Sequence, residues 1–120
     1  MDQKQIINAA NNITVQRLLA QHLAGVERYS SHAFAGAVIT VEPSRHRTGI
    51  PADADCRRYV FTHEREGWSM SVRAAWRDDR LLDPAAVHCR IEIMWDDNGT
   101  HGDDDGVAAA VNRWLQGLPL

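Results

Sequence analysis

The sequence predicts an α+β fold of two layers, in the order helix, four strands, helix: a four-stranded antiparallel meander with both helices on its apolar face. Three observations predict it. Apolar residues recur at helical spacing near both ends, at Val15, Leu18 and Leu19 and again at Val107, Ala108, Val111 and Leu115. Between them, from Arg57 to Asp96, the chain alternates apolar and polar residues with the period of two that a half-buried strand requires. Its 120 residues, 44% hydrophobic and 24% charged, suit one hydrophobic core and a single domain spanning 1–120.

The first helix is expected from Lys4 to about Arg28, a proline-free stretch in which Val15, Leu18, Leu19, His22 and Val26 share a face. Asn11 and Asn12 weaken its opening turns, because asparagine favours caps over helix interiors. Ala33 to Val41 (AFAGAVITV) is apolar on both faces and reads as one strand covered on both sides. Pro43 to Asp55, with two prolines, Gly49 and the polar run Ser44-Arg45-His46-Arg47, reads as a long loop, and connections of about 12 residues or more in a compact domain are either functional or mobile.

Three alternating strands follow. In the first, Tyr59, Phe61 and His63 face one way; in the second, Trp68, Met70, Val72, Ala74 and Trp76; in the third, Val87, Cys89, Ile91, Ile93 and Trp95. A two-residue turn at Glu66-Gly67 would set His63 opposite Met70 and Tyr59 opposite Ala74. Matching apolar faces would then set Trp68 opposite Trp95, Val72 opposite Ile91 and Trp76 opposite Val87. Past a turn at Asn98-Gly99, the stripe Val107, Ala108, Val111, Trp114, Leu115 and Leu118 marks the second helix, stopped by Gly117 and Pro119.

Composition excludes some classes of function. A net charge of -3 provides no global positive field to gather nucleic acid or anionic lipid. A sheet that binds single strands also needs aromatic platforms, and here the aromatics share the face assigned to the core. No nucleic-acid partner is therefore expected. The polar, amide-rich start lacks the features of a secretory signal, no apolar run reaches the roughly 18 residues that span a bilayer, and a cytoplasmic, membrane-free setting is the expectation. Cys56 and Cys89 are too few for a disulfide framework and are expected as reduced thiols. One lysine among 13 basic residues, with abundant alanine and aspartate, points to a GC-rich bacterial genome.

No catalytic, metal or cofactor site is expected. The acidic stretch Asp96 to Gly106 lacks the alternating ligands of an EF-hand loop and reads as a turn followed by an aspartate cap near the positive end of the helix dipole. His88 and Cys89, as strand neighbours, point to opposite faces and cannot act as a base and nucleophile pair. Ser30-Ser31-His32 is not a nucleophile elbow, and no glycine-rich phosphate loop is present. The distinctive feature is arginine on the polar face of the sheet. Arg58, Arg73, Arg77 and Arg90 should project together, with Arg45, Arg47 and Arg57 available from the long loop, and arginine forks bind carboxylates in bidentate fashion. The ordinary alternative is a solvated face on which Glu64 and Glu92 pair with arginines across strands.

The segments WSMSVRAAWRDDR, VHCRIEIMWDD and AAAVNRWLQGL resemble small domain-of-unknown-function proteins of beta-proteobacteria, a likeness that covers most of the chain and implies no activity. The helix, sheet, helix order is also loosely similar to small bacterial secretion chaperones, a fold-level analogy. The expectation is a non-catalytic interaction module, an adaptor, chaperone-like or regulatory protein, that binds an acidic protein partner through the sheet's polar face or the Pro43 to Asp55 loop, with Arg45, Arg47, Arg57, Arg58, Arg73, Arg77 and Arg90 as the candidate contacts. The alternative is a small-molecule or metal-dependent enzyme with a site between helix and sheet, using His63, His101 or Asp103 to Asp105.

Overall fold

The computed structural model describes residues 9–46, 50–78, 80–82, 88–93 and 104–120. Its elements are α1 (Ala9–Leu18), continued by a π-helical turn (Leu19–Leu23), then β1 (Ser31–Phe34), β2 (Ala37–Pro43), β3 (Asp55–His63), β4 (Trp68–Arg77), β5 (Arg80–Leu81), β6 (His88–Ile93) and α2 (Asp104–Gln116). Two helices and an antiparallel sheet make the fold α+β. None of the described helices is long and apolar enough to cross a membrane.

The first helical segment ends at Leu23 rather than near Arg28, and its buried face is Val15, Leu18, Leu19 and Leu23, with His22 exposed. The π-helical turn explains the change. Its i to i+5 bonding widens the turn, so the position returning to the buried face arrives one residue later than in an α-helix.

The AFAGAVITV segment is a hairpin, not one strand. Ala35 and Gly36 have φ of 50° and 87°, the pair of left-handed residues that a two-residue type I′ connection demands. It joins β1 to β2 with Phe34 opposite Ala37 and Ser31 opposite Thr40. Tyr29 extends the pairing through a bulge: its N–H donates to the Val41 carbonyl at 2.6 Å, and the Val41 N–H donates to Ser30 at 3.0 Å.

The sheet order is β1-β2-β3-β4, and the outer edge of β4 is shared by β5 at one end and β6 at the other. Six strands thus replace the expected four among the described residues. The connection between β3 and β4 has four residues, Glu64 to Gly67, with Gly67 at φ 73°. Accordingly His63 lies opposite Trp68, Phe61 opposite Met70 and Tyr59 opposite Val72. Between β4 and β6, Trp68 is opposite Ile93 and Val72 opposite Cys89. Both registers differ by two residues from the expected ones, which leaves the side chains of β3 and β4 on their expected faces. Val87, Trp95 and the Asn98-Gly99 turn lie outside the described residues.

One core unites these elements. Val15, Leu18, Leu19 and Leu23 from the first helical segment and Ala108, Ala110, Val111 and Leu115 from α2 cluster with Ile39, Val41, Tyr59, Phe61, Trp68, Met70, Val72, Ala74 and Trp76. Each fully buried large apolar side chain stabilises the fold by about 1.5 to 3 kcal/mol. The helices also share a polar clamp, in which buried Asn11 donates from Nδ2 to Asn112 Oδ1 at 2.6 Å. The Trp114 indole N–H donates to the Ala35 carbonyl at 2.7 Å and ties α2 to the β1–β2 turn.

Candidate functional site

Alternation along β2, β3 and β4 sends Glu42, Arg58, Arg73 and Arg77 to the face opposite the tryptophans. Register aligns them into a row: Glu42 is opposite Arg58, Arg58 opposite Arg73, and Arg73 opposite His88 of β6. Two guanidinium-bearing residues are therefore directly opposed across one ladder, an arrangement that costs stability unless an anion offsets it. Glu42 supplies one carboxylate, 3.0 Å from Arg58 Nη1. Arg73 is exposed and makes no ion pair with any described side chain. The neighbouring outer positions of β4, Ser69 and Ser71, are small and buried.

Of the four arginines expected to project together and the three expected from the long loop, the structure joins some and separates others. Arg58 and Arg73 are neighbours. Arg90 occupies the β6 position opposite Ser71, next to that row. Arg77 stands at the end of β4, four residues from Arg73 and on the same face, and donates from Nη2 to Asp53 Oδ1 at 2.7 Å. That hydrogen bond holds the Asp53 carboxyl below its ordinary range, although burial acts in the opposite direction. Arg45 is exposed in the segment after β2, and Arg47 lies outside the described residues.

Arg57 is a correction. It belongs to β3, not to the loop, and the strand alternation that points Tyr59 inward points Arg57 inward too. Its Nε donates to Asp55 Oδ2 at 2.8 Å, its Nη2 lies 2.7 Å from the same oxygen, its Nη1 donates to the Val26 carbonyl, and its guanidinium carbon sits 5.9 Å from the Trp76 ring centroid. Burial alone would pull this guanidinium's pKa down, but the hydrogen bond to Asp55 and the neighbouring Tyr59 and Asp55 outweigh it and the net direction is up. Arg28 approaches Asp55 from the other side, at 3.7 Å. The cluster clamps the end of the sheet to the segment after the first helix.

Beside it, Tyr59 Oη and Trp76 Nε1 are buried and have no hydrogen-bond partner among the described residues. Burial pushes the Tyr59 phenol up, an effect that Arg57 only partly offsets. Burial also raises the Cys56 thiol, with Asp55 adding to the shift. Cys56 is free and lies on the outer side of β3 in a small apolar patch with Ala54 and Ala75, covered by Ile50 and Leu82.

Of the groups named for an enzyme, only His63 has a described side chain. His63 is 8% exposed and is held by its own hairpin: Nδ1 accepts the Glu66 backbone N–H at 3.2 Å, Nε2 lies 3.7 Å from Glu66 Oε2, and the ring leans on Trp68 with centroids 5.3 Å apart. His101 and Asp103 lie outside the described residues, and Asp104 opens α2. Among the described residues no three His, Cys, Asp or Glu side chains are placed to hold a metal ion. Glu64 sits in the β3–β4 connection while Glu92 lies opposite Ser69, so these two do not share a row.

Sequence reading missed Arg80. Two residues separate it from Arg77, and β5 brings it directly opposite that residue. Asp78, at φ 52°, begins this tight connection. An Asp-Asp pair is a weaker hairpin signal than Asn-Gly or Asp-Gly, so the segment resembled a plain loop. Comparison of the chain with protein-family models, with curated proteins and with solved structures finds no match.

Proposed function

We propose that this domain is a non-catalytic interaction module whose outer sheet face, centred on Arg73, receives an acidic segment of another protein. The observation that carries the reading is the direct opposition of Arg58 and Arg73 across the β3–β4 ladder, with Arg73 exposed. An incoming carboxylate at Arg73 relieves that like-charge opposition. In this reading both helices back the inner face, the partner approaches the outer face at exposed Arg73, and Arg45 and the 43–55 segment border the contact. The protein works in a bacterial cytoplasm, where Cys56 remains a thiol. Nucleic acid is not a partner, because Trp68 and Trp76 are in the core and offer no stacking surface.

The test uses a fluorescently labelled oligoglutamate peptide titrated onto the protein at low salt. With a net charge of -3 the protein as a whole repels this probe, so saturable binding reports a local site. Arg73→Ser should weaken it about tenfold, the loss of roughly 1.4 kcal/mol expected for one charge-assisted contact. Arg17→Ser, which removes the same charge from exposed α1, should leave it within about twofold, the scale of an exposed charge acting at a distance. Absence of binding by the native protein, or equal loss in both variants, would remove the surface from consideration.

A further inference from the structure

A cavity of about 410 Å³ opens where β4 turns into β5, lined by Arg77, Asp78, Arg80 and Leu82. Its two basic residues face each other across the ladder, since Arg77 is the cross-strand partner of Arg80. Both are exposed. Nothing in the fold requires two guanidinium groups at the neck of a two-residue hairpin, where their repulsion opposes the pairing. One of them already holds an anion. Arg77 Nη2 lies 2.7 Å from Asp53 Oδ1, and Asp53, at 71% side-chain exposure, reaches this position from the segment preceding β3.

We propose that this cavity binds a small oxyanion of the phosphate or carboxylate class, held between Arg77 and Arg80, with Asp53 as its displaceable internal competitor. Asp53 Oδ1 occupies the place of one ligand oxygen at Arg77 and shows the chemistry this guanidinium accepts. Exposed ion pairs are weak, so an external anion exchanges with Asp53 at little cost. Arg80 supplies the second fork, and no described side chain pairs with it. Leu82 forms an apolar wall, which favours an anion carrying a short carbon chain over a bare inorganic ion. Asp78 also lines the cavity, and its charge opposes multiply charged ligands, so binding of a simple anion is in the millimolar class.

The site does not rest on the docking reading, because it is built on the opposition of Arg77 and Arg80 and not on Arg73. Two-dimensional ¹H–¹⁵N spectra are recorded during titration with inorganic phosphate and, separately, with butyrate, ionic strength being held constant with sodium chloride. Saturable shifts confined to residues around 53 and 77–82 are expected with at least one probe, and the probe that binds more tightly identifies the class. Arg80→Ser should weaken binding about tenfold, the loss of one charge-assisted contact. Asp53→Asn should tighten it about two- to fivefold by removing the competitor, and it leaves β4 and β5 untouched should the Arg80 change disturb the hairpin. Arg73→Ser should have no effect. Shifts that never saturate, that spread over all the arginines, or that persist unchanged in both Arg80→Ser and Asp53→Asn would overturn the proposal.

Discussion

The guanidinium carbon of Arg57 lies 5.9 Å from the Trp76 ring centroid, on the inner side of the sheet, with Asp55 and the Val26 carbonyl completing its surroundings. A charged side chain thereby closes the end of an apolar core. Arg57→Ala should destabilise the protein by about 1 to 3 kcal/mol, less than for a fully buried pair because Asp55 keeps some contact with water. Arg57→Lys keeps the charge but loses the fork and should recover less than half of that loss. Urea denaturation measures both, and a change below about 0.5 kcal/mol for Arg57→Ala, the scale of an ordinary surface substitution, would contradict the clamp.

Tyr59 carries a pH dependence whose sign follows from its surroundings. Burial raises its folded pKa above the unfolded value near 10. Stability from this group is fully present below that unfolded value and is lost as pH rises through the raised folded one, because the unfolded chain releases the proton first. Tyr59→Phe should flatten the alkaline decline. At neutral pH it should change stability by less than about 1 kcal/mol, since it removes a buried hydroxyl that has no partner among the described residues. Denaturation midpoints measured at neutral pH and at successive alkaline values check both parts.

Two glycines separate backbone strain from steric conflict. Gly67, at φ 73°, has open space where a Cβ would stand, so Gly67→Ala meets strain alone and should cost about 1 to 2 kcal/mol. At Gly36, with φ 87°, a Cβ would come within 2.9 Å of His63 Nε2. Gly36→Ala should therefore cost more than Gly67→Ala, by about 1 kcal/mol or more of overpacking. The excess should largely disappear in a His63→Ala background, and a double-mutant cycle from denaturation curves reads it directly.

The clamp between helices is a further test. Asn11→Ala removes the donor 2.6 Å from Asn112 Oδ1 within a buried contact and should cost about 1 to 3 kcal/mol. If Asn112→Ala adds little on top of it, the two side chains act as one unit; full additivity in equilibrium unfolding would mean that they do not.

The faces of the sheet were legible in the sequence because strand geometry makes alternation unambiguous: Tyr59, Phe61, Trp68, Met70, Val72 and Trp76 all lie inward as their period of two requires. Register was not legible, because a slip of two residues leaves each side chain on its own face. His63 meets Trp68 rather than Met70 for that reason, and the length of the connecting turn decides the matter. The β1–β2 hairpin was hidden because its turn, Ala35-Gly36, carries no polar residue to interrupt an apolar run. Arg57 is misplaced by the sequence and Arg80 is missed, for different reasons. At Arg57 charge suggested the surface although periodicity pointed inward. At Arg80 the tight Asp78-Asp79 connection looked like a loop, so the opposition to Arg77 went unseen.

Both the core and the docking surface depend on Arg57 and Arg73 lying on opposite sides of the sheet. Arginine-selective labelling of the folded protein with phenylglyoxal, read by mass spectrometry after digestion, tests this at once. Arg73 should be modified early and Arg57 protected until the protein unfolds. Equal reactivity of the two in the native protein, or protection of Arg73 with early loss of Arg57, would contradict the assignment of faces from which the rest follows.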